Sequence, residues 1–364
     1  MKIFHVNVAM FTSVIALLFF ASISSSFGAS QPQIFEVIGE IEKGNILTIN
    51  GADFGGHLDR GGESEYLNYA WLDCENSGSY VKPFNWSATH SRARLNSDNG
   101  TQRKGSKYNA VHDDINGVPS NFINIFGTTV SNYEGGRYAI RADFKSSIVF
   151  LSGWWRIGYK FTMSNGADQI KMNQICNSVG QKSWFHIDGS PEQTSPNNGW
   201  KIGSHVLESN RDDDGGVFMT EAGEWHRMDI YANLDLDVIE FYIDGKLYRS
   251  AEYLDNSPFA NGIFTAFARE SDVNQTMIWY TDDMYIDLTP ARVEVSDSPT
   301  WSVEKYRHME IQPQISWSDS EIKIKFNRGS FDITEPMYLY VINSNGQVNS
   351  KGYLLGDPFN FRKE

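Results

Sequence analysis

The 364-residue chain has only two cysteines, Cys74 and Cys176. That scarcity excludes a disulfide-rich scaffold, and two isolated thiols do not make a structural zinc site. Two options stay open for them. They either form one bridge, closing a loop of about 100 residues for roughly 4 to 5 kcal/mol in the chain-entropy view, or remain buried thiols. Long helical periodicity is scarce, which argues against a bundle, and no fixed-period repeat supports a solenoid or propeller. Beyond the first 30 residues no apolar run is long enough to cross a bilayer. Glycine-rich phosphate loops, Ser-His-Asp elbows and clustered Cys/His zinc ligands are also lacking. Positive charge is in deficit, with 31 Lys and Arg against 45 Asp and Glu and a formal charge of −14. Nucleic acid and anionic membranes, which reward cations, are therefore poor general partners.

What the chain does have is aromatic residues, at 14%, and frequent glycine. Together with period-two alternation these favour an all-β protein. Trp225 to Tyr231, Val238 to Tyr248 and Met277 to Leu288 read as successive strands. Met228, Ile230, Ala232, Ile239, Phe241 and Ile243 fall on a core face, while Arg227, Asp229, Tyr231, Glu240 and Tyr242 fall on a face expected to meet solvent. Asp244-Gly245 predicts a tight hairpin turn, because glycine accepts positive φ and aspartate tolerates it. At the start, Met1-Lys-Ile-Phe-His5, the apolar run Val8 to Ile23 and the small residues to Ser30 read as a signal peptide over 1–29 rather than a retained anchor. A secreted, cell-surface or periplasmic protein with no membrane span in the mature chain is the expectation.

The order Trp-x-x-x-x-Ile-Tyr, Phe-Tyr-Ile-Asp-Gly and Asp-Asp-Met-Tyr-Ile resembles the late strands of the concanavalin A-like lectin/glucanase superfamily. That resemblance implies a jelly-roll β-sandwich over residues 65–295 that binds or cleaves polysaccharide. The preceding segment, 30–64, with Leu47-Thr-Ile-Asn-Gly-Ala-Asp-Phe-Gly55, resembles the opening of an IPT/TIG module. Residues 296–364 read as a small accessory β-sandwich, similar to a fibronectin type III or IPT domain. In jelly-roll carbohydrate-binding modules an acidic residue on the first strand and an Asp on the last often share a structural calcium. By that resemblance Asp73, Glu75 and Asp283 are the candidate ligands, and hard oxygen donors suit the ion.

Strand parity supplies the functional expectation. On Gly153 to Met163 it sets Trp154, Arg156 and Lys160 apart from Trp155 and Ile157. On neighbouring runs it sets apart Arg137 and Arg141, then Lys171 and Asn173, then Trp184 and His186. If those strands share one sheet, they offer a face of Arg, Lys, Asn, Trp and His. Arg137, Arg141, Lys145, Arg156, Lys160, Lys171 and Lys182 stand there against Asp143 and Asp168 alone, in a chain that is acidic elsewhere. Such a stripe suits an acidic polysaccharide, because guanidinium groups pair with carboxylates and indoles cover sugar rings. Solvated cations on an ordinary sheet face are the plain alternative.

Three functions fit. The first is an exported carbohydrate-binding protein holding a polysaccharide on Trp154, Arg156, Lys160, Lys171 and Trp184. The second is a lyase that cleaves a uronic-acid polymer by β-elimination, with His186 as base and Arg141 and Asn173 neutralising the carboxylate. The third is a structural or adhesion protein. Asn173-Gln-Ile-Cys176 resembles a Gln-Ile-His motif of alginate-lyase-like jelly rolls with cysteine in place of the histidine, so that family histidine does not carry over. Retaining hydrolysis is disfavoured, since the Glu-x-Asp-x-x-Glu run of laminarinase-type enzymes is missing.

Overall fold

The computed structural model describes residues 30–57, 69–72, 85–86, 94–96, 103–104, 109–114, 121–123, 129–131, 138–157, 170–188, 200–207, 218–221, 223–266, 277–332 and 334–356. Regular structure there is almost wholly strand. The N-terminal part gives β1 (Gln33–Ile38) and β2 (Ile46–Ala52). Next come β3 (Tyr69–Leu72), β4 (Asn85–Trp86), β5 (Arg94–Asn96), β6 (Asn109–Asp114), β7 (Asn121–Ile123) and β8 (Thr129–Ser131). The central run is β9 (Tyr138–Ser146), β10 (Ile148–Ile157), β11 (Ile170–Asn177), β12 (Lys182–Asp188), β13 (Trp200–His205) and β14 (Phe218–Thr220). It continues through β15 (Trp225–Asn233), β16 (Val238–Ile243), β17 (Lys246–Glu252), β18 (Phe259–Ala266) and β19 (Met277–Asp287). The chain closes with β20 (Arg292–Ser296), β21 (Met309–Gln312), β22 (Gln314–Trp317), β23 (Glu321–Lys325), β24 (Met337–Ile342) and β25 (Tyr353–Gly356).

Two antiparallel sheets make the large jelly-roll sandwich. One is eight-stranded, ordered β17-β16-β15-β10-β19-β6-β5 with β3 also paired to β19; the other is seven-stranded, ordered β14-β13-β12-β11-β18-β9-β4. Their inner faces share one core. Val149, Leu151, Trp155, Met228, Ile230, Phe241, Met284 and Ile286 come from the first sheet, and Ala142, Met172, Ile175, Phe185, Ile202 and Phe259 from the second. Each large side chain so buried contributes about 1.5 to 3 kcal/mol. The expected core set of β15 and β16 is found in place. So is the hairpin turn: Asp244 and Gly245 have φ of 48° and 71°, the double left-handed geometry of a two-residue loop, with Ile243 opposite Lys246.

The N- and C-terminal segments do not stand apart. β1 and β2 pair with β23 and β22 in one four-stranded sheet, and β21, β20, β24 and β25 form a second. Leu47, Ile49 and Phe54 from the early segment pack with Val293, Val295, Ile322, Ile324, Leu339 and Val341 from the late one. One discontinuous sandwich module therefore replaces two separate accessory pieces, and β20 places its start ahead of residue 296. A segment as short as 30–57 cannot bury its own apolar face, so the late strands complete it.

This module sits on the outer face of the eight-stranded sheet, which corrects the expectation that Arg227 and Asp229 meet solvent. Arg227 is 1% exposed. Its guanidinium donates to both carboxylate oxygens of Glu294 at 2.9 and 3.3 Å, and its Nε to Asp229 and Ser152 at 2.9 and 3.0 Å. Burial pushes the Glu294 carboxyl up, but Arg227 and Arg292 outweigh it and hold its pKa at about 2. A second tie runs through buried Arg103, which bonds Asp282 and Asp283 of β19 and Glu310 of β21. Burial also raises Glu310, and Arg103 and His308 bring it back down to about 2. A third tie centres on Asp287, which accepts from Tyr285 and Thr289 and meets His57 Nε2 at 3.0 Å.

Candidate functional site

The corner at Ser147 decides which of the expected site residues can meet. β9 and β10 are separated by that one residue, yet β9 lies in the seven-stranded sheet and β10 in the eight-stranded one. Two alternating strands with so short a link are ordinarily neighbours in a sheet. Here Ala142 on β9 and Val149 and Leu151 on β10 pack into the same core from opposite sides, so the polar sets of the two strands point away from each other. The single face expected to hold all the cations is thereby divided.

Trp154 and Arg156 belong to the eight-stranded sheet, in register with Arg227 and Trp225 of β15. Trp154 is 7% exposed, with the Arg103 guanidinium 4.6 Å above its ring and His308 edge-on at 5.7 Å. It lines an open cleft of about 570 Å³ under the module, together with Trp225, His226, Tyr306 and His308. Arg156 is buried, 5.6 Å over the Tyr280 ring. Lys160 lies outside the described residues. Trp154 and Arg156 are thus separated from the other candidates by the thickness of the sandwich.

The remaining candidates hold register positions in the seven-stranded sheet. Residues opposite one another on antiparallel strands project to the same side. Register places Arg141 opposite Ile263, Ile263 opposite Gln174, Gln174 opposite Trp184 and Trp184 opposite His205, one continuous row across β9, β18, β11, β12 and β13. The adjoining row runs from Lys171 through His186 to Gly203. The His205 ring lies 4.7 Å from Trp184 and 4.5 Å from His186. Gly203 permits this approach: a Cβ there would fall 2.4 Å from His186 Nε2. His186 is 1% exposed, and Trp184 and His205 are also buried, so the cluster is a floor rather than a solvated surface.

Asn173 is not on that floor. The register of β11 against β12 shifts between Lys171 and Gln174, leaving Met172 and Asn173 opposite Phe185 alone. This bulge reverses the parity and turns Asn173 into the core. Its Oδ1 accepts from Trp155 Nε1 at 2.8 Å and its Nδ2 donates to the Met228 carbonyl at 2.8 Å, bridging the two sheets. Gln174 takes the outward place and donates to Cys176 Sγ at 2.9 Å. Asn173 is therefore a structural bridge, and Gln174, itself buried, is the amide on the outer side. Parity of Lys201, Gly203 and His205 carried the signal for His205; nothing in the sequence marked the bulge.

The proposed calcium set fits poorly. β3 does pair with β19, so first and last strands of the jelly roll are adjacent. Asp283 is a left-handed residue, φ 43°, at an irregularity between β10 and β19, and its carboxylate is engaged by the Arg103 guanidinium. A cation beside that positive group is disfavoured. Asp73 and Glu75 lie outside the described residues, among which no group of three or more His, Cys, Asp or Glu is placed to hold a metal.

No family model matches the sequence, and no curated protein matches it. Solved structures do. An alginate lyase from Corynebacterium sp. aligns with 60% of this chain and 93% of its own at 8% identity and a TM-score of 0.33. The carbohydrate recognition domain of Emp47p aligns over 62% and 99% at 9% identity and a TM-score of 0.38. The polysaccharide lyase family 7 alginate lyase AlgAT5 aligns over 60% and 94% at 11% identity and a TM-score of 0.35.

Proposed function

We propose that this is an exported carbohydrate-binding protein whose glycan site is the outer face of the seven-stranded sheet. The cross-strand row Arg141, Gln174, Trp184 and His205, flanked by Lys171 and His186, carries the reading. In this reading the register positions of two cationic residues join an amide, an indole and two imidazoles. That is the donor-rich, aromatic chemistry a sugar acid needs: charged donors for its carboxylate and a flat surface for its ring. Trp154 and Arg156 leave the site, and the discontinuous module, an immunoglobulin-like spacer or docking domain in our reading, takes over their side of the sandwich. Binding to an array of neutral and uronic-acid polysaccharides tests the idea. Retention by acidic glycans, weakened at least tenfold in an Arg141→Ala/Lys171→Ala double variant that melts like the wild type, is expected. Equal retention by neutral glycans, or none at all, would count against it.

A second reading, β-elimination, is favoured by the packed pair of imidazoles beside Gln174 and the Lys171 position. In that reaction a base removes the C5 proton of a uronate, a proton reaches the C4 leaving oxygen, the C4–O bond breaks and a C4=C5 double bond forms. One imidazole as base and cationic groups on the carboxylate meet those needs. Growth of ultraviolet absorbance from the unsaturated product, lost in His186→Ala, is the expected sign. Absence of that signal on alginate, glucuronan and glycosaminoglycans removes this reading and leaves the binding one intact.

A further inference from the structure

A separate observation lies on the other side of the molecule. Arg307, in the segment before β21, is 7% exposed. Its Nε donates to Met309 Sδ at 2.9 Å and its Nη2 to the Gly245 carbonyl at 3.3 Å, and the guanidinium carbon stands 4.0 Å over the Trp301 ring. The left-handed Asp244-Gly245 turn is nested against it: a Cβ on Gly245 would meet Met309 Sδ at 2.3 Å and Arg307 Nε at 2.8 Å. Three contacts thus fix the guanidinium, yet among the described residues Nη1 has no acceptor and no ion pair to Arg307 is found. Burial lowers the pKa of this group, the attraction of Glu294 being opposed by Arg227 and Arg292. A buried guanidinium with a spare donor and no counter-charge is costly, and natural structures seldom keep one without a use.

Arg307 lines a cavity of about 280 Å³ between the jelly roll and the module, close to the size of a small-ligand pocket. The lining is rich in aromatic rings, with Tyr231, Tyr242 and, beneath the guanidinium, Trp301. The acidic groups on the lining are already matched: Asp229 pairs with Arg227, and Glu240 accepts from the Tyr242 hydroxyl. We propose that this cavity binds a single-ring carboxylate, its carboxylate on Arg307 and its ring against the aromatic lining. The ring could come from a sugar acid or from an aromatic acid; the chemistry recognised is the same.

Calorimetric titration of the full chain with glucuronate, glucose and benzoate tests this. Binding of glucuronate or benzoate with glucose silent is expected, and which of the two binds identifies the source. Arg307→Gln should weaken the carboxylate at least tenfold. Should that variant fail to fold, Leu236→Trp at the exposed edge of the cavity is the second test, expected to block entry without touching the core. The proposal is overturned if neither carboxylate binds, if glucose binds as well as glucuronate, or if a folded Arg307→Gln or Leu236→Trp variant binds unchanged. It stands apart from the glycan reading, because the Arg141→Ala/Lys171→Ala variant should keep this binding in full.

Discussion

The two outer faces of the jelly roll carry polar residues in the same alternating pattern and end in opposite situations. On the eight-stranded sheet, Arg227 binds both Asp229 and Glu294, Asp282 meets Arg103 and Asp287 meets His57 as the discontinuous module covers them. On the seven-stranded sheet, the His205 ring packs at a tilt against both Trp184 and His186, beside Gln174. A cation opposite a fitted carboxylate holds two parts of a chain together, whereas the imidazoles and indole gathered on the other sheet are the ones we propose for a ligand. Polarity on a strand face therefore says little about function until its partner is known.

The comparison is broken most forcefully by removing a charge from the covered face. Glu294→Ala leaves Arg292 without its carboxylate and buried Arg227 with Asp229 alone, and should cost about 3 kcal/mol in denaturant unfolding, since buried positive charge is left under-compensated. An effect under 1 kcal/mol would show that the module is not held by this pair. Gly203→Ala comes next, driving a methyl into the His186 ring. About 1 to 3 kcal/mol of stability should be lost, with glycan retention falling alongside it. Unchanged retention in that variant would detach the imidazole pair from binding.

Acid should separate the faces as well. Glu294 and Glu310 have folded pKa values of about 2, below their unfolded values of about 4.5. A depressed carboxylate contributes stability that is present above the unfolded value and disappears as pH falls toward the folded one. Unfolding free energy should thus drop between about pH 4.5 and 2, and Glu294→Gln should shrink that drop. The smallest effect concerns His226. Burial would lower its pKa, but the 2.8 Å bond and charge of Asp244 win and raise it. Its contribution is complete below the unfolded value of about 6.5 and is lost as pH rises through the folded one. His226→Gln should cost about 0.5 to 1.5 kcal/mol at pH 6 and less in alkaline solution.

Much of the architecture was legible in the chain. Alternation in β15 and β16 named the core residues, and Asp244-Gly245 named its turn, because both signals are local. Three features were not, each for a non-local reason. Ser147 sends β9 and β10 into different sheets, a choice set by the side from which each apolar set closes the shared core. The β11 bulge moves Asn173 inward and Gln174 outward, a one-residue slip that no residue type announces. The union of β1 and β2 with β22 and β23 joins segments some 270 residues apart, beyond the reach of any sequence pattern. As a result the strands of Arg141, Lys171, Trp184 and His186 lie in one sheet as expected, whereas Trp154 and Arg156 lie in the other, and the place of His205 beside Trp184 and His186 had no counterpart in the expected set.

Affinity electrophoresis in gels cast with an acidic polysaccharide puts the division of the two faces to its most direct test. Arg141→Ala/Lys171→Ala should abolish the retardation shown by the wild type, while Arg156→Ala on the opposite sheet should leave it unchanged. Retardation lost in Arg156→Ala and kept in the double variant would contradict the account.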